Sequence, residues 1–230
     1  MTDSGGGHAA SSTRRILLLV GPVGAGKGTQ AEVLTHELGL VHLASGNLFR
    51  QALRDGTPLG EEARTYMERG DLVPDELTID MFMHELAKPD AQRGAILDGF
   101  PRTVTQARAL DATLAERGER IERVISIEVP IETLVARVAG RRVCPECGTP
   151  YHADSDPPRV PDRCDRDGAE LHRRDDDRPE VVRARLDKQM RPMLEVLDYY
   201  DRAGIVQRVD GTQPIATVTA EILAGLRGDR

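Results

Sequence analysis

Residues 21–29 read GPVGAGKGT, and they join a short apolar run, Arg15 to Val20, to a helical pattern in which Ala31, Val33, Leu34 and Leu38 form one apolar face ending at Gly39. The spacing suits the holding of a polyphosphate. Gly21, Gly24, Gly26 and Gly28 allow sharp bends and let a ligand approach the backbone without Cβ clashes. Backbone N–H groups can then face phosphate oxygens, aided by the positive end of the following helix. Lys27 supplies a cation for the outer phosphates. The pattern G-x-x-x-x-G-K-[ST] is met from Gly21 through Lys27, but Gly28 stands at the hydroxyl position and Thr29 comes one place later. A glycine-rich turn can also be only a tight connection. Here the strand before it and the helix after it supply the context that the motif requires.

The bulk properties narrow the class. A chain of 230 residues can bury one sizeable core with small insertions. A net charge of −7 argues against a nucleic-acid partner, which calls for a basic footprint. Three cysteines, two of them in one C-x-x-C, do not make a disulfide framework, and a reducing cytoplasm is expected. No apolar run approaches the roughly 18 residues that span a membrane. Residues 1–13, opening MTDSGGGHAASS, read as a disordered tail without the apolar segment of a signal peptide. No apolar surface stripe demands a partner, so a monomer is expected.

Strand-like runs at 15–20, 40–44, 95–98, 124–129 and 205–209 alternate with helical patterns at roughly 46–55, 59–69, 75–87, 103–117, 130–139, 179–202 and 213–227. Alternation of this kind predicts an α/β fold, a parallel five-stranded sheet with helices on both faces. Ligands of such sheets bind beyond the carboxyl ends of the strands, which puts residues 21–29, Asp98 to Arg102 and the loop near Ser45 on one rim. Two segments stand outside this pattern. Residues 45–73 form a helical insertion, and residues 140–177 are loop-like and rich in Pro, Asp, Arg and Cys.

Within the second segment, Cys144 and Cys147 are followed by Cys164 and Asp167 in the spacing C-x2-C-x16-C-x2-D. This is zinc-ribbon spacing with Asp in the fourth place, and a carboxylate oxygen is an acceptable zinc ligand. His152 and His172 are rival fourth ligands without knuckle spacing. The competing reading is a set of reduced structural thiols. A closed four-ligand site leaves no open position for substrate, so its role would be structural, supplying folding free energy to a segment too polar to fold by burial alone.

Arginines suit the neutralisation of a transferring phosphoryl group. Arg50, Arg102, Arg141, Arg174 and Arg185 occupy candidate rim positions, whereas Arg142, Arg173, Arg178 and Arg183 are left as surface charges. Asp98 closes an apolar strand beside the phosphate loop, where a carboxylate can hold the water shell of Mg²⁺ or simply cap the turn before Gly99.

Taken together, residues 14–228 resemble an adenylate kinase. LDGFPRT (97–103) is similar to that family's most diagnostic segment, and GPVGAGKGT to its phosphate loop, in which Gly after the Lys is usual. ASGNLFR (44–50), DLVPDEL, GRRVC and VDGTQP fall in the family's order, and the cysteine segment resembles the zinc-bearing lid of many bacterial members. The resemblance implies a P-loop NTPase-type core (14–43, 74–139 and 178–228), an NMP-binding domain (44–73) and a zinc-ribbon-like LID (140–177). It implies that Gly24, Ala25, Gly26, Lys27, Gly28 and Thr29 hold the donor phosphates. Arg141, Pro150 and Tyr151 would cover the donor, and the backbone near Gln213 would border its adenine. Ser45, Arg50, Asp71, Leu72, Val73, Gly99, Phe100, Pro101, Arg102 and Gln106 would form the AMP site, with Gln106 reading the adenine edge. Arg102, Arg137, Arg141, Arg174 and Arg185 would crowd the phosphoryl group, the last pair also serving AMP. The implied reaction is ATP + AMP ⇌ 2 ADP with Mg²⁺, a structural Zn²⁺ and no covalent intermediate.

Three positions depart from the family habit: Val23 for Pro, Asn47 for Asp, and Ser45 for Thr. Ser45 and Gln106 argue against a UMP or CMP kinase. A GTP donor stays open, since donor-base contacts are expected to be mostly backbone. The full arginine set argues against a nucleotide-binding regulator or zinc-ribbon module without turnover.

Overall fold

The computed structural model describes residues 14–153, 156–174 and 177–228; the tail at 1–13 lies outside the described residues. The elements run in order as β1 (Arg15–Val20), α1 (Lys27–Leu38), β2 (Val41–Ala44), α2 (Ser45–Arg54), α3 (Pro58–Glu68), α4 (Asp75–Ala87), β3 (Gly94–Asp98), α5 (Val104–Glu116), β4 (Ile121–Glu128) and α6 (Ile131–Ala139). They continue with β5 (Arg141–Val143), β6 (Pro150–His152), α7 (Pro179–Asp201), β7 (Val206–Asp210) and α8 (Ile215–Arg227). The main sheet has the order β2-β3-β1-β4-β7, and every neighbouring pair is parallel.

β1 lies at the centre, which explains why its sequence is an unbroken apolar run rather than an alternating one. Ile16, Leu18 and Val20 face one core cluster with Phe82 of α4, Leu110 of α5 and Tyr200 of α7. Leu17 and Leu19 face the other cluster, with Leu34 of α1, Leu134 of α6 and Ile222 of α8. The side-chain period of two in a strand divides the molecule into these layers. α7 joins both: Val182 and Leu186 belong to the second cluster, Val196 and Leu197 to the first.

Local chemistry sets the ends of the helices. Gly39 stops α1 in a left-handed conformation and returns its N–H to Thr35. Thr57 caps α3 by accepting from the Gly60 N–H, with Pro58 at the first helical position. Thr103 caps α5 by accepting from the Gln106 N–H. α2 and α3 cross so closely that a Cβ on Gly60 would collide with the backbone of Ala52 and Leu53.

The cysteine segment is more ordered than its sequence suggests. β5 and β6 pair as an antiparallel hairpin, and isolated bridges join Val143 to His172 and Arg163 to Glu170. Three-residue strands carry too little periodicity to be seen in sequence. Among the described residues no helix is long and apolar enough to cross a membrane.

Candidate active site

The carboxyl ends of β1, β3, β4 and β7 open onto one cavity of about 980 Å³. The phosphate loop forms its floor. Gly24 adopts φ +82°, and a Cβ there would meet the Leu134 carbonyl at 2.9 Å, so this position needs glycine both for conformation and for room. Gly28 differs from the expectation. It sits in the first turn of α1 with no left-handed φ and nothing within 4 Å of a Cβ position. It does not bend the loop; it leaves space above the helix N-terminus.

Lys27 folds over the loop and donates to the carbonyls of Gly21 (2.8 Å) and Pro22 (3.0 Å). Burial pushes its ammonium down to about 8, Asp98 opposes the shift, and Arg102, Arg185 and Arg141 add to it. The lysine and three of the candidate arginines therefore act on one another electrostatically, and the site has an excess of positive charge for an anion to neutralise. Asp98 lies at the end of β3 with His42 Nε2 at 3.3 Å from its Oδ2. Burial pushes its carboxyl up, but the His42 contact and the charges of Lys27 and Arg102 outweigh burial and hold it below the usual carboxylate range.

Arg102 is gripped at three nitrogens: Nε donates to the Gly99 carbonyl (2.7 Å), Nη1 to Gln189 Oε1 (2.9 Å) and Nη2 to Ser45 Oγ (3.1 Å). Arg141 pairs with Asp177, whose side chain is fully buried; Nε donates to Oδ2 at 2.7 Å, and Nη2 and Oδ1 form the second arm. Arg137 donates to the Gly211 carbonyl (2.8 Å). Arg50 and Arg174 both donate to Asn47 Oδ1, at 3.0 and 3.4 Å, so Asn47 links α2 to the cysteine segment without a charge of its own. Arg185 lines the same cavity.

Gln106 is buried. Its Oε1 accepts from the Arg102 N–H (2.7 Å) and its Nε2 donates to Asp75 Oδ1 (2.8 Å), while Thr103 Oγ1 donates to Asp75 Oδ2 (2.9 Å). An amide has two protons and two lone pairs, so Gln106 keeps one of each for a ligand. Asp71 accepts from Lys188 Nζ (2.6 Å) and from Arg69 Nε (3.0 Å), and Leu72 and Val73 continue the wall. Gly24 to Thr29, Pro150, Tyr151 and Gln213 line the opposite end. Tyr151 also turns its hydroxyl to the cysteine cluster, accepting from the Asp165 N–H at 2.8 Å with Cys164 Sγ at 3.5 Å. Phe100 and Pro101 are not brought to the cavity. Both are buried, and the Phe100 ring stacks on Phe82 with centroids 4.2 Å apart, so these residues shape the turn from below.

One ligand atom from each of Cys144, Cys147, Cys164 and Asp167 lies within 4.8 Å of the others. Cys147 Sγ is 3.5 Å from Cys164 Sγ, and Cys144 Sγ is 3.2 and 3.3 Å from the Asp167 oxygens. A tetrahedral ion with arms of about 2.3 Å needs edges of roughly 3.8 Å, so the cluster fits a metal after small outward shifts. The Ala169 N–H donates to Asp167 Oδ1 (3.0 Å) and, with neighbouring thiols, holds that carboxyl at about 2, ready as an anionic ligand.

A family profile described as Adenylate kinase matches residues 19–205. The chain belongs to the adenylate kinase family. An adenylate kinase of Desulforamulus reducens is 46% identical over 211 residues, 92% of this chain and 99% of the relative. One of Carboxydothermus hydrogenoformans is 48% identical with the same coverage, and one of Staphylococcus aureus 44% over 207 residues, 90% of this chain and 96% of the relative. As an adenylate kinase family member the chain is a nucleotide-binding phosphotransferase, and its five-stranded parallel sheet is that of the family's P-loop fold. His42 and Gln189 are cavity residues that the sequence motifs did not single out. For Gln189 a signal existed: it lies four residues after Arg185, on the same face of a helix.

Proposed function

We propose that this enzyme transfers the γ-phosphoryl group of ATP directly to AMP, giving two ADP, with Mg²⁺ accompanying the nucleotide. Lys27 and the amides of residues 24–29 hold the donor phosphates. Arg137, Arg141, Pro150, Tyr151 and the chain at Gln213 enclose the donor nucleoside. Ser45, Arg50, residues 71–73, Gly99, Arg102 and Gln106 receive AMP, with Phe100 and Pro101 supporting the turn. Arg102, Arg137, Arg141, Arg174 and Arg185 neutralise the transferring charge. The observation that carries the reading is the convergence of Lys27, Arg102, Arg137, Arg141, Arg174 and Arg185 on one cavity. A binding module has no need of that convergence, whereas phosphoryl transfer depends on positioning and charge stabilisation more than on a protein nucleophile. Asp98 would hold Mg²⁺ through the ion's waters, and the ion would supply positive charge to the nucleotide's phosphates.

Residues 44–73 act in this reading as the acceptor-binding domain and 140–177 as the lid, both closing over the core to exclude water that would otherwise accept the phosphoryl group. The Cys144, Cys147, Cys164 and Asp167 cluster holds a structural Zn²⁺. The enzyme works as a monomer in the cytoplasm; a reduced thiol cluster suits that compartment. The test is a coupled assay offering ATP or GTP with AMP, UMP, CMP or GMP, in which ATP with AMP is expected to be the best pair. Arg102→Ala should lower kcat by about a hundredfold or more, the loss typical of removing a charge-stabilising group; an unchanged kcat would overturn the mechanism.

A further inference from the structure

Gln189 projects from α7 into the cavity between two elements that carry the acceptor side. Its Nε2 donates to the Gly70 carbonyl at 2.8 Å, and its Oε1 accepts from Arg102 Nη1 at 2.9 Å. The chemistry of the partners fixes which end of the amide is which, because a carbonyl only accepts and a guanidinium only donates. Gly70 closes the segment built from α2 and α3, and there the chain lies flush against α7. A Cβ on Gly70 would come within 2.7 Å of Arg185 Cγ and 3.2 Å of the Val181 carbonyl, and its φ of +72° favours glycine in any case. Next to it Lys188 Nζ holds Asp71. The amide of Gln189 thus has one end on the seat of the acceptor segment and the other on the arginine that follows β3.

We infer that Gln189 is a positioning residue for phosphoryl transfer, coupling the seating of residues 44–73 on α7 to the aim of the Arg102 guanidinium. The inference rests on the proposed ATP-to-AMP reaction and deepens it. Arg102 has two further bonds, to Gly99 and Ser45, which fix its Nε and Nη2. The Ser45 bond ties Arg102 to α2, the Nη1 bond ties it to α7, and a hydrogen bond to a charged group is the kind whose loss is felt most. Because Gly70 and Asp71 border the acceptor wall and not the phosphate loop, the effect falls on AMP and on turnover, and leaves ATP binding alone.

The test is Gln189→Met, which keeps the length of the side chain and removes both hydrogen bonds, assayed in full-length enzyme with ATP and AMP varied separately. The expected result is a fall in kcat of about tenfold and a several-fold rise in the KM for AMP, with the KM for ATP within about twofold of the parent and Tm nearly unchanged. A kcat within about twofold of the parent overturns the inference, as does an equal rise of both KM values. Gln189→Asn retains the amide on a shorter stem and is expected to recover part of the lost kcat; an Asn variant no better than Met overturns the role. If the parent makes no ADP from ATP and AMP, the functional reading fails and this inference with it. If the parent is active and Gln189→Met equals it, only the inference fails.

Discussion

Lys27 shows how one side chain records its surroundings. Its ammonium is held at about 8, against an ordinary value of 10.5, first by burial and then by three nearby guanidinium groups. Polyphosphate reverses that balance by bringing negative charge to the lysine. In the free enzyme kcat/KM for ATP should therefore fall above about pH 8, while kcat, which reports the loaded enzyme, holds level to higher pH; parallel declines of both would contradict this. The sign for stability is opposite. The unfolded chain holds the Lys27 proton more tightly than the folded one, so the cost of burying the charge is fully present below pH 8 and is relieved between about 8 and 10.5. At this scale the sequence was readable wherever a motif fixes a role. Gly24, Lys27, Ser45, Asp98, Arg102 and Gln106 all line one cavity. It was faint where a role depends on distant pairing: Gln189 meets Arg102 across 87 residues and Gly70 across 119, and its one local sign is its place four residues after Arg185.

Among the elements, the buried parallel strands were the easiest to read, because burial on both faces writes a run such as Ile16-Leu17-Leu18-Leu19-Val20 into the chain. β5 and β6 were hidden, since Arg141-Arg142-Val143 and Pro150-Tyr151-His152 have no pattern of their own. In the proposed reading, a metal at the cysteine cluster supplies the order that their sequence lacks. Cys144→Ser should accordingly lower the bound zinc from about one per chain and reduce Tm, with a smaller loss of activity at moderate temperature; metal analysis and calorimetry check both. The α2–α3 pair depends instead on close approach. Gly60→Val should drive the two helices apart, raising the KM for AMP several-fold while the KM for ATP stays within about twofold and Tm drops, since overpacking of this kind costs about 1–3 kcal/mol. Steady-state kinetics with each substrate varied would show whether the damage stays on the acceptor side.

Over the whole molecule, the cysteine segment touches both substrate sides through exposed groups. Arg166, within the second knuckle, pairs with Glu32 on α1, and Arg54 on α2 donates to the Pro145 carbonyl in the first knuckle at 3.3 Å. Exposed ion pairs are weak and screened by salt. Glu32→Gln should raise the KM for ATP by no more than a few-fold and should blunt its dependence on ionic strength; a salt response equal to the parent's would remove this pair from any part in closure.

α7 has a larger consequence. It is a 23-residue helix that ties the two core clusters together, and along its length it also presents Arg185 and Gln189 to the cavity. One surface of it is therefore structural and another chemical, with no loop between them to absorb a shift. A change on its apolar stripe, at Leu186 or Val196, moves the arginine and the glutamine as well as the packing. Sequence drift in this helix is filtered twice, once through persistence of the fold and once through the rate of the reaction, and variants that gain thermal resistance there should be found to trade it against turnover.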